Sequence, residues 1–414
     1  MAQLSPDRFS IGQDVLTVEQ AIAALQKRVQ PVAEIETIPL AAALGRTLVA
    51  DLRAPLPLPP FANSAVDGYA VRFADLADTV ETRLPVQGRI AAGGEGPGVS
   101  GQGTIRIFTG APLPEGCDTV FMQEDVALDG ATAILPHGLK KGANARPAGE
   151  DVAEGSVALP AGTLLAAQHI ALAAALGQTH VTVRRALRVA LFSTGNEVTE
   201  PGQPRPPAGI YDSNRALLRA LCTRPGIEVT DLGILPDNRA AIAQALAAAK
   251  GHDLILTSGG VSLGEEDHVK AAVEEVGALN FWRMAIKPGR PVALGAIGDA
   301  AFVGLPGNPV AVFVTFAAIV RPLLAALSGA TITAPLPLPV VAGFAYRKKT
   351  GRREFIRVSL IQEGGTIIAK KHPRDGAGVL SSLTETDGLL VLPEESESLA
   401  PGQTAGFLAY AALL

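Results

Sequence analysis

Cysteine is scarce: Cys117 and Cys222 are the only two in 414 residues. They lie far apart and form no CxxC, which argues against a disulfide framework or a thiolate zinc site and fits a reducing compartment. Aromatics are also few, at 4% with one Trp, so cores must be built from Ala, Val and Leu; apolar residues reach 48%, ample for that. No uninterrupted apolar run reaches the roughly 18 residues of a membrane span, because charges, Gly or Pro break each one. The segment Met1-Ala2-Gln3-Leu4-Ser5-Pro6-Asp7-Arg8 lacks a basic stretch followed by an apolar one, so no signal peptide is expected and the expected location is cytoplasmic. Net charge is −5. Basic stripes are missing over most of the chain, so nucleic acid is not an expected partner, and neither is a membrane. The six histidines show no ligand spacing. The P-loop pattern G-x-x-x-x-G-K-[ST] is absent. Gly96-Pro97-Gly98-Val99-Ser100-Gly101 fits G-x-G-x-x-G, but it contains Pro, follows no clear strand and leads into a strand, so it is no dinucleotide fingerprint.

The length predicts two to four domains. Val15 to Val29 reads as an amphipathic helix with Thr17 as N-cap. The run Ala54-Pro55-Leu56-Pro57-Leu58-Pro59-Pro60 marks a boundary. Residues 61 to 150 carry short apolar runs, such as Thr104 to Phe108 and Thr119 to Met122, between Gly and Pro, which predicts a β-rich domain. Gly162 to Leu176 reads as helix with a stop at Gly177. From Leu187 the pattern alternates. Strands are expected at 187–192, 228–232, 254–257, 279–284, 291–294 and 301–303; helices at 214–221, 239–250, 269–276 and 309–327. That alternation predicts a three-layer α/β domain with a mostly parallel sheet. Pro335-Leu336-Pro337-Leu338-Pro339 marks a second boundary, followed by a small β domain.

The most informative stretch is Thr257-Ser258-Gly259-Gly260-Val261-Ser262-Leu263-Gly264-Glu265-Glu266-Asp267. It follows a buried strand and precedes a helix, so backbone N–H groups and the helix N-terminus can meet an anion. Its three carboxylates suit a divalent metal beside bound phosphate. The plain alternative is a strand-to-helix turn with a solvated acidic first turn. Three further polar loops fall at the same strand ends, where open α/β sheets bind ligands: Ser193-Thr194-Gly195-Asn196-Glu197, Lys287-Pro288-Gly289-Arg290-Pro291 and Gly304-Leu305-Pro306-Gly307-Asn308-Pro309. Lys287 and Arg290 offer cations on a stiff turn, or only a solvated surface turn. Asn308 can cap a helix that starts at Pro309. Asp237, before another helix, is an N-cap by default. Asp67 and Asp151 stand in loops where an Asp-Gly type turn is the plain reading. The run Arg347-Lys348-Lys349, Arg352-Arg353, Arg357 and Lys370-Lys371-His372-Pro373-Arg374 is either a solvated basic face or an anion-binding surface.

Taken in order, these segments and Asn63–Ala70, Phe108–Pro112, Gly149–Asp151 and Tyr211–Asn214 resemble the molybdopterin molybdenumtransferase family, MoeA, related to the E domain of gephyrin-type proteins. The resemblance covers nearly the whole chain. It implies a multidomain α/β protein: a three-layer α/β molybdopterin-binding domain, adenylyltransferase-like, at 187–332; a β-rich insert at 55–146; a split helical linker domain at 1–54 and 147–186; and a C-terminal β domain at 333–414. It implies an elongated homodimer that inserts molybdate into adenylylated molybdopterin with Mg²⁺-dependent release of AMP. Expected partners are a molybdopterin adenylyltransferase and molybdoenzyme-maturation proteins. Asp67, Thr109, Asp151, Glu197, Asp237, Asp267 and Lys287 take catalytic roles by this resemblance, with Asp267 first and Asp237 second as metal-linked carboxylates. Substrate contacts are expected from Ser193, Thr194, Gly195, Ser258, Gly259, Gly260, Ser262, Gly264, Arg283, Arg290, Pro306, Gly307, Asn308, Pro309 and Arg357. Arg283 and Arg290 stand where relatives often carry Lys, and Ala62 replaces a common acid. Ala377 replaces a Ser whose hydroxyl could contact molybdate, and Ser381 or Ser382 could substitute.

Two other readings share these residues: a paralogue tuned to tungstate or to weak metal loading, and a scaffold that keeps the cleft without turnover. The set Asp67, Glu197, Asp237 and Asp267 argues against the scaffold, because a pure binder of polyanions gains nothing from four acids.

Overall fold

The structure is a computed structural model that describes residues 15–96, 98–259 and 268–413, the side chains of Phe281 and Trp282 excepted. Two compact units are present. One contains the chain through Val49, Gly162–Ala166 and His180 onward; the other contains Ala50–Ala161 and Ala167–Thr179.

The first unit is built on a seven-stranded sheet of Val15–Leu16 (β1), Leu187–Thr194 (β2), Ile227–Leu235 (β3), Leu254–Ser258 (β4), Ala278–Met284 (β5), Pro291–Ile297 (β6) and Ala300–Leu305 (β7). Their spatial order is β1-β5-β6-β7-β4-β2-β3. All neighbours run parallel except β6, which opposes both β5 and β7. Short turns join β5 to β6 and β6 to β7, too short for a parallel crossover, which forces the reversal.

Strand β2 shows why the sheet is covered on both faces. Leu187, Val189 and Leu191 pack with helices Val18–Arg28 (α1), Ser213–Cys222 (α2) and Pro309–Ser328 (α5). Ala190 and Phe192 point the other way, into a core with Arg239–Ala249 (α3) and His268–Val276 (α4). Period-2 alternation on a fully buried strand thus produces three layers. Thr17 caps α1 in a reciprocal capping box with Gln20. Helix α5 is long and apolar enough by length and composition to cross a bilayer, which the sequence did not suggest, but 83% of it is buried in this core. It passes through Arg321-Pro322 by opening into a π-segment over Phe316–Val320, which relieves the carbonyls left without a proline N–H.

The C-terminal part forms a closed barrel of Leu338–Ala342 (β8), Arg353–Glu363 (β9), Thr366–Lys371 (β10), Gly388–Leu392 (β11) and Thr404–Ala409 (β12). Pairing of β9 with β11 closes the ring. Val340, Ile356, Val358, Leu390 and Phe407 fill it. Ile286–Lys287 joins this sheet, parallel to the start of β9.

The second unit holds a six-stranded sheet in the order Thr119–Met122, Gly68–Val71, Thr104–Ile107, Thr82–Ile90, Thr132–Leu135 and Ala127–Asp129. Gly68 is obligatory there, because a Cβ would lie 1.8 Å from the carbonyl oxygen of Phe121. The helix expected from Gly162 starts only at Ala167 and ends at Ala175. Residues 162–165 instead make extended backbone bonds, Gly162 N–H to Leu48 O and Leu165 N–H to Arg46 O. Tertiary pairing has overridden local helix preference.

Candidate functional site

The carboxyl ends of β2, β4, β5 and β7 share one edge of the seven-stranded sheet, and their loops line two cavities in the first unit. The larger, about 540 Å³, takes Lys287, Gly289, Pro306, Gly307 and Asn308 from the sheet domain and Tyr346, Glu354, Arg357 and Ala377 from the barrel domain. The smaller, about 280 Å³, is lined by Ser193, Thr194, Gly195, Glu197, Asn214, Asp237, Ser258 and Pro309. Gly259 and Gly307 border both, so the cavities adjoin.

In the larger cavity, the loop after β5 is shaped by Gly289, with φ of 105°. A Cβ there would come 2.3 Å from Thr315 Oγ1 on α5, so only glycine lets the loop sit this close to the helix. Lys287 Nζ lies 3.1 Å from Glu354 Oε2, which also accepts the Tyr346 hydroxyl at 2.8 Å. Arg352 Nε donates to the other oxygen, Oε1, at 2.9 Å. Burial pushes the Glu354 carboxyl up, but the bonds from Tyr346, Lys287 and Arg352 outweigh it and hold the group below the usual range. Burial and the adjoining Glu354 push the Tyr346 phenol up.

Arg357 is 6% exposed. Its Nε donates to Ser382 Oγ at 3.1 Å, and an Nη donates to the carbonyls of Arg374 and Gly376 at 3.1 and 3.2 Å. It therefore anchors the Arg374–Ala377 loop that lines the cavity, while burial lowers its pKa. The same loop meets helix α5: Val310 N–H donates to Ala377 O at 3.0 Å. Asn308 is the N-cap of α5 by position but makes no side-chain cap bond. The substitution of Ser382 for the missing hydroxyl at residue 377 fails, because Ser382 is fully buried and bonded to Arg357 and to Val379 O. Ser381 is also engaged, accepting from Arg374 at 3.1 Å.

In the smaller cavity, Asp237 does not cap α3; Asn238 does, accepting from Ala241 N–H at 2.9 Å. Asp237 Oδ1 instead accepts from Thr194 Oγ1 at 3.1 Å. Asn214 Nδ2 donates to Gly307 O at 2.7 Å, and its Oδ1 is buried without a protein partner, as is Ser193 Oγ. Such orphan polar atoms beside a cavity suit a polar ligand. The wall is stiffened by Arg215, whose side chain bonds Asp212 at 2.9 Å, both oxygens of Asp231 at 2.7 Å, and Glu200. Three carboxylates line this cavity: Asp212, already bonded to Arg215, and Glu197 and Asp237. Among the described residues no cluster of three or more His, Cys, Asp or Glu is metal-ready. Two carboxylates nonetheless fit Mg²⁺, which takes few protein ligands and completes its shell with water and substrate phosphate.

The second unit brings Asp67 and Thr109 together. Asp67 Oδ1 accepts from both the backbone N–H and the hydroxyl of Thr109, each at 2.8 Å. Asp151 lies in the same unit, exposed, with its backbone N–H bonded to Leu58 O at 2.9 Å. Arg283 and Arg290 are exposed and line neither cavity. Gly260, Ser262, Gly264 and Asp267, with Glu265 and Glu266, lie outside the described residues. Sequence reasoning passed over Glu354, Tyr346 and Asn214. One signal for Glu354 was available: it is the one acid between Arg347 and Arg357.

Three family models match the chain: the MoeA N-terminal region (domain I and II) over residues 16–177, a probable molybdopterin binding domain over 190–326, and the MoeA C-terminal region (domain IV) over 339–410. The chain is 39% identical to a molybdopterin molybdenumtransferase of Haemophilus influenzae, covering 94% of this chain and 97% of the relative. It is 36% identical to a molybdopterin molybdenumtransferase of Synechococcus elongatus, covering 89% and 93%. The crystal structure of the molybdopterin biosynthesis moeA protein from Pyrococcus horikoshii OT3 superposes with a TM-score of 0.79 at 29% identity, covering 96% of this chain and 100% of that one. With barrel, three-layer domain and β-rich unit all matched, the chain belongs to the molybdopterin molybdenumtransferase (MoeA) family of transferases.

Proposed function

We propose that this chain inserts molybdenum from molybdate into adenylylated molybdopterin and releases AMP, as a step of molybdenum cofactor biosynthesis. The observation that carries the reading is the pair of adjoining cavities. One brings the cations Lys287 and Arg357 to a Gly- and Pro-rich rim; the other gathers the carboxylates Glu197 and Asp237 with the polar Ser193, Asn214 and Ser258. A long polyanion with a phosphoanhydride and a polar pterin needs both kinds of wall.

In this reading Lys287 offsets charge on the phosphate or oxyanion, and Arg357 orders the rim that receives it. Asp267 and Asp237 would hold Mg²⁺, with Glu197 as a further carboxylate, and the ion would supply charge neutralisation at the leaving phosphate oxygens. Thr194, bonded to Asp237, fixes the orientation of that carboxylate. Asn214 and Ser193 supply hydrogen bonds to the substrate's polar edge. Asp67 and Thr109 orient water or metal. The working form is a homodimer that receives its substrate from a molybdopterin adenylyltransferase. Ala377 puts a methyl in the rim where a hydroxyl would meet the oxyanion, so oxyanion selectivity, including the second reading of a preference for tungstate, is tested together with the reaction.

The test is AMP release from adenylylated molybdopterin with Mg²⁺, with molybdate, with tungstate, and with neither. Molybdate-dependent release that yields active cofactor is the expected result. Preference for tungstate selects the second reading. Tight binding without release under any condition leaves a scaffold.

A further inference from the structure

We propose that Glu354, contributed by the C-terminal barrel, is the positioning residue that sets the Lys287 ammonium in the larger cavity for the reaction; this rests on the transferase reading above.

The backbone makes the pair. Ile286–Lys287 runs parallel to the first residues of β9, with Lys287 directly opposite Glu354. The two side chains meet at 3.1 Å. Glu354 stands in the cavity wall but is only 1% exposed, so it offers a substrate almost no surface. Both of its oxygens are occupied: Oε2 by Lys287 and Tyr346, Oε1 by Arg352. A buried carboxylate with both oxygens engaged by polar partners is a built arrangement rather than a chance contact.

Lys287 is the mobile member. Its side chain is 46% exposed and rides on a flexible four-carbon stem. An ammonium has three N–H donors. Glu354 takes one, and the Tyr346 hydroxyl, 3.4 Å away, takes a second. One donor remains for an anionic ligand. The barrel thus does more than wall the cavity: it converts a floppy surface cation into a directed donor. It also sets local charge. Lys287, Arg352 and Glu354 together carry one net positive charge, and neutralising Glu354 would make that two. A polyanion would then be attracted at least as well, but Lys287 would lose its fixed direction. Hence the expected signature is a fall in kcat without a rise in KM.

The experiment uses the full chain with Glu354→Gln, Tyr346→Phe and Lys287→Ala, alone and combined, and reads AMP release. Glu354→Gln should lower kcat by about tenfold or more, with KM within about twofold. In the Lys287→Ala background the same change should alter kcat by less than about twofold, because its effect runs through Lys287. Tyr346→Phe should give a smaller loss of the same kind. An equal loss from Glu354→Gln with and without Lys287 overturns the proposal, as does wild-type kcat. A second readout needs no turnover: acylation of Lys287, followed by mass spectrometry. Faster labelling of Lys287 in Glu354→Gln than in the native chain supports the hold, and equal labelling overturns it. If the native chain releases no AMP, the transferase reading fails, and labelling still decides whether Glu354 holds Lys287.

Discussion

Asp67 receives two hydrogen bonds on a single oxygen, Oδ1, from the backbone N–H and the hydroxyl of Thr109, 42 residues away. The backbone bond, then the hydroxyl bond, hold this carboxyl below the usual Asp range. A bond to the charged form favours that form, so removing one raises the pKa. If ionised Asp67 serves the reaction, its acid limb lies below the ordinary Asp value of about 3.9. Thr109→Val keeps the N–H bond and loses the hydroxyl, so it should move that limb to higher pH. Asp67→Asn should cut AMP release by about tenfold or more while leaving the melting temperature unchanged. A pH–rate profile of both variants checks this; an unmoved limb in Thr109→Val would detach Thr109 from the chemistry.

Gly289 is expected to tolerate no side chain. Gly289→Ala meets Thr315 Oγ1 at 2.3 Å and a φ of 105°. The strain should cost roughly 1–3 kcal/mol and displace Lys287. Adding Thr315→Ala removes the clash but not the φ strain, so chemical denaturation of the double variant should recover part of the loss and not all.

Arg215 should be a stability hub with a pH signature. Its guanidinium serves Asp212, Asp231 and Glu200. Arg215→Met strands these carboxylates and should cost roughly 3 kcal/mol near neutral pH. Burial pushes Asp231 up, but Arg215 and the Gly233 N–H outweigh it, so its folded pKa is depressed. The stability from a depressed carboxylate is present above the unfolded pKa and is lost as pH falls through the folded one. The gap in stability between native and Arg215→Met chains should therefore narrow as pH drops below about 4. Denaturation curves at several pH values check this; a constant gap would mean that the loss is one of packing.

Ala377 should be a selectivity position. It lines the larger cavity, next to a loop pinned by Arg357. Ala377→Ser adds a donor at the rim and should lower the molybdate concentration for half-maximal AMP release, by several-fold for a bond to a charged group. Titrations with molybdate and tungstate measure it. No change in either would show that the rim at residue 377 stays clear of the oxyanion.

What the sequence determined is local. The alternation of strands and helices from Leu187, the capping box of Thr17 and three of the loops at the strand ends were legible because caps, turns and periodicity act over a few residues. What only tertiary structure decided is long-range or competitive. Which neighbour caps α3 was such a contest: Asn238 took the helix and freed Asp237 for Thr194. The helix expected at Gly162 yielded to backbone pairing with Leu48 and Arg46. The basic run of the barrel read as a solvated face or an anion-binding surface; closure of the barrel turned Arg357 inward onto Ser382 and the Arg374 and Gly376 carbonyls. Glu354 and Lys287 are 67 residues apart. No spacing or propensity links them; their pairing exists only because the loop after β5 lies alongside β9, and burial then makes a charged partner obligatory.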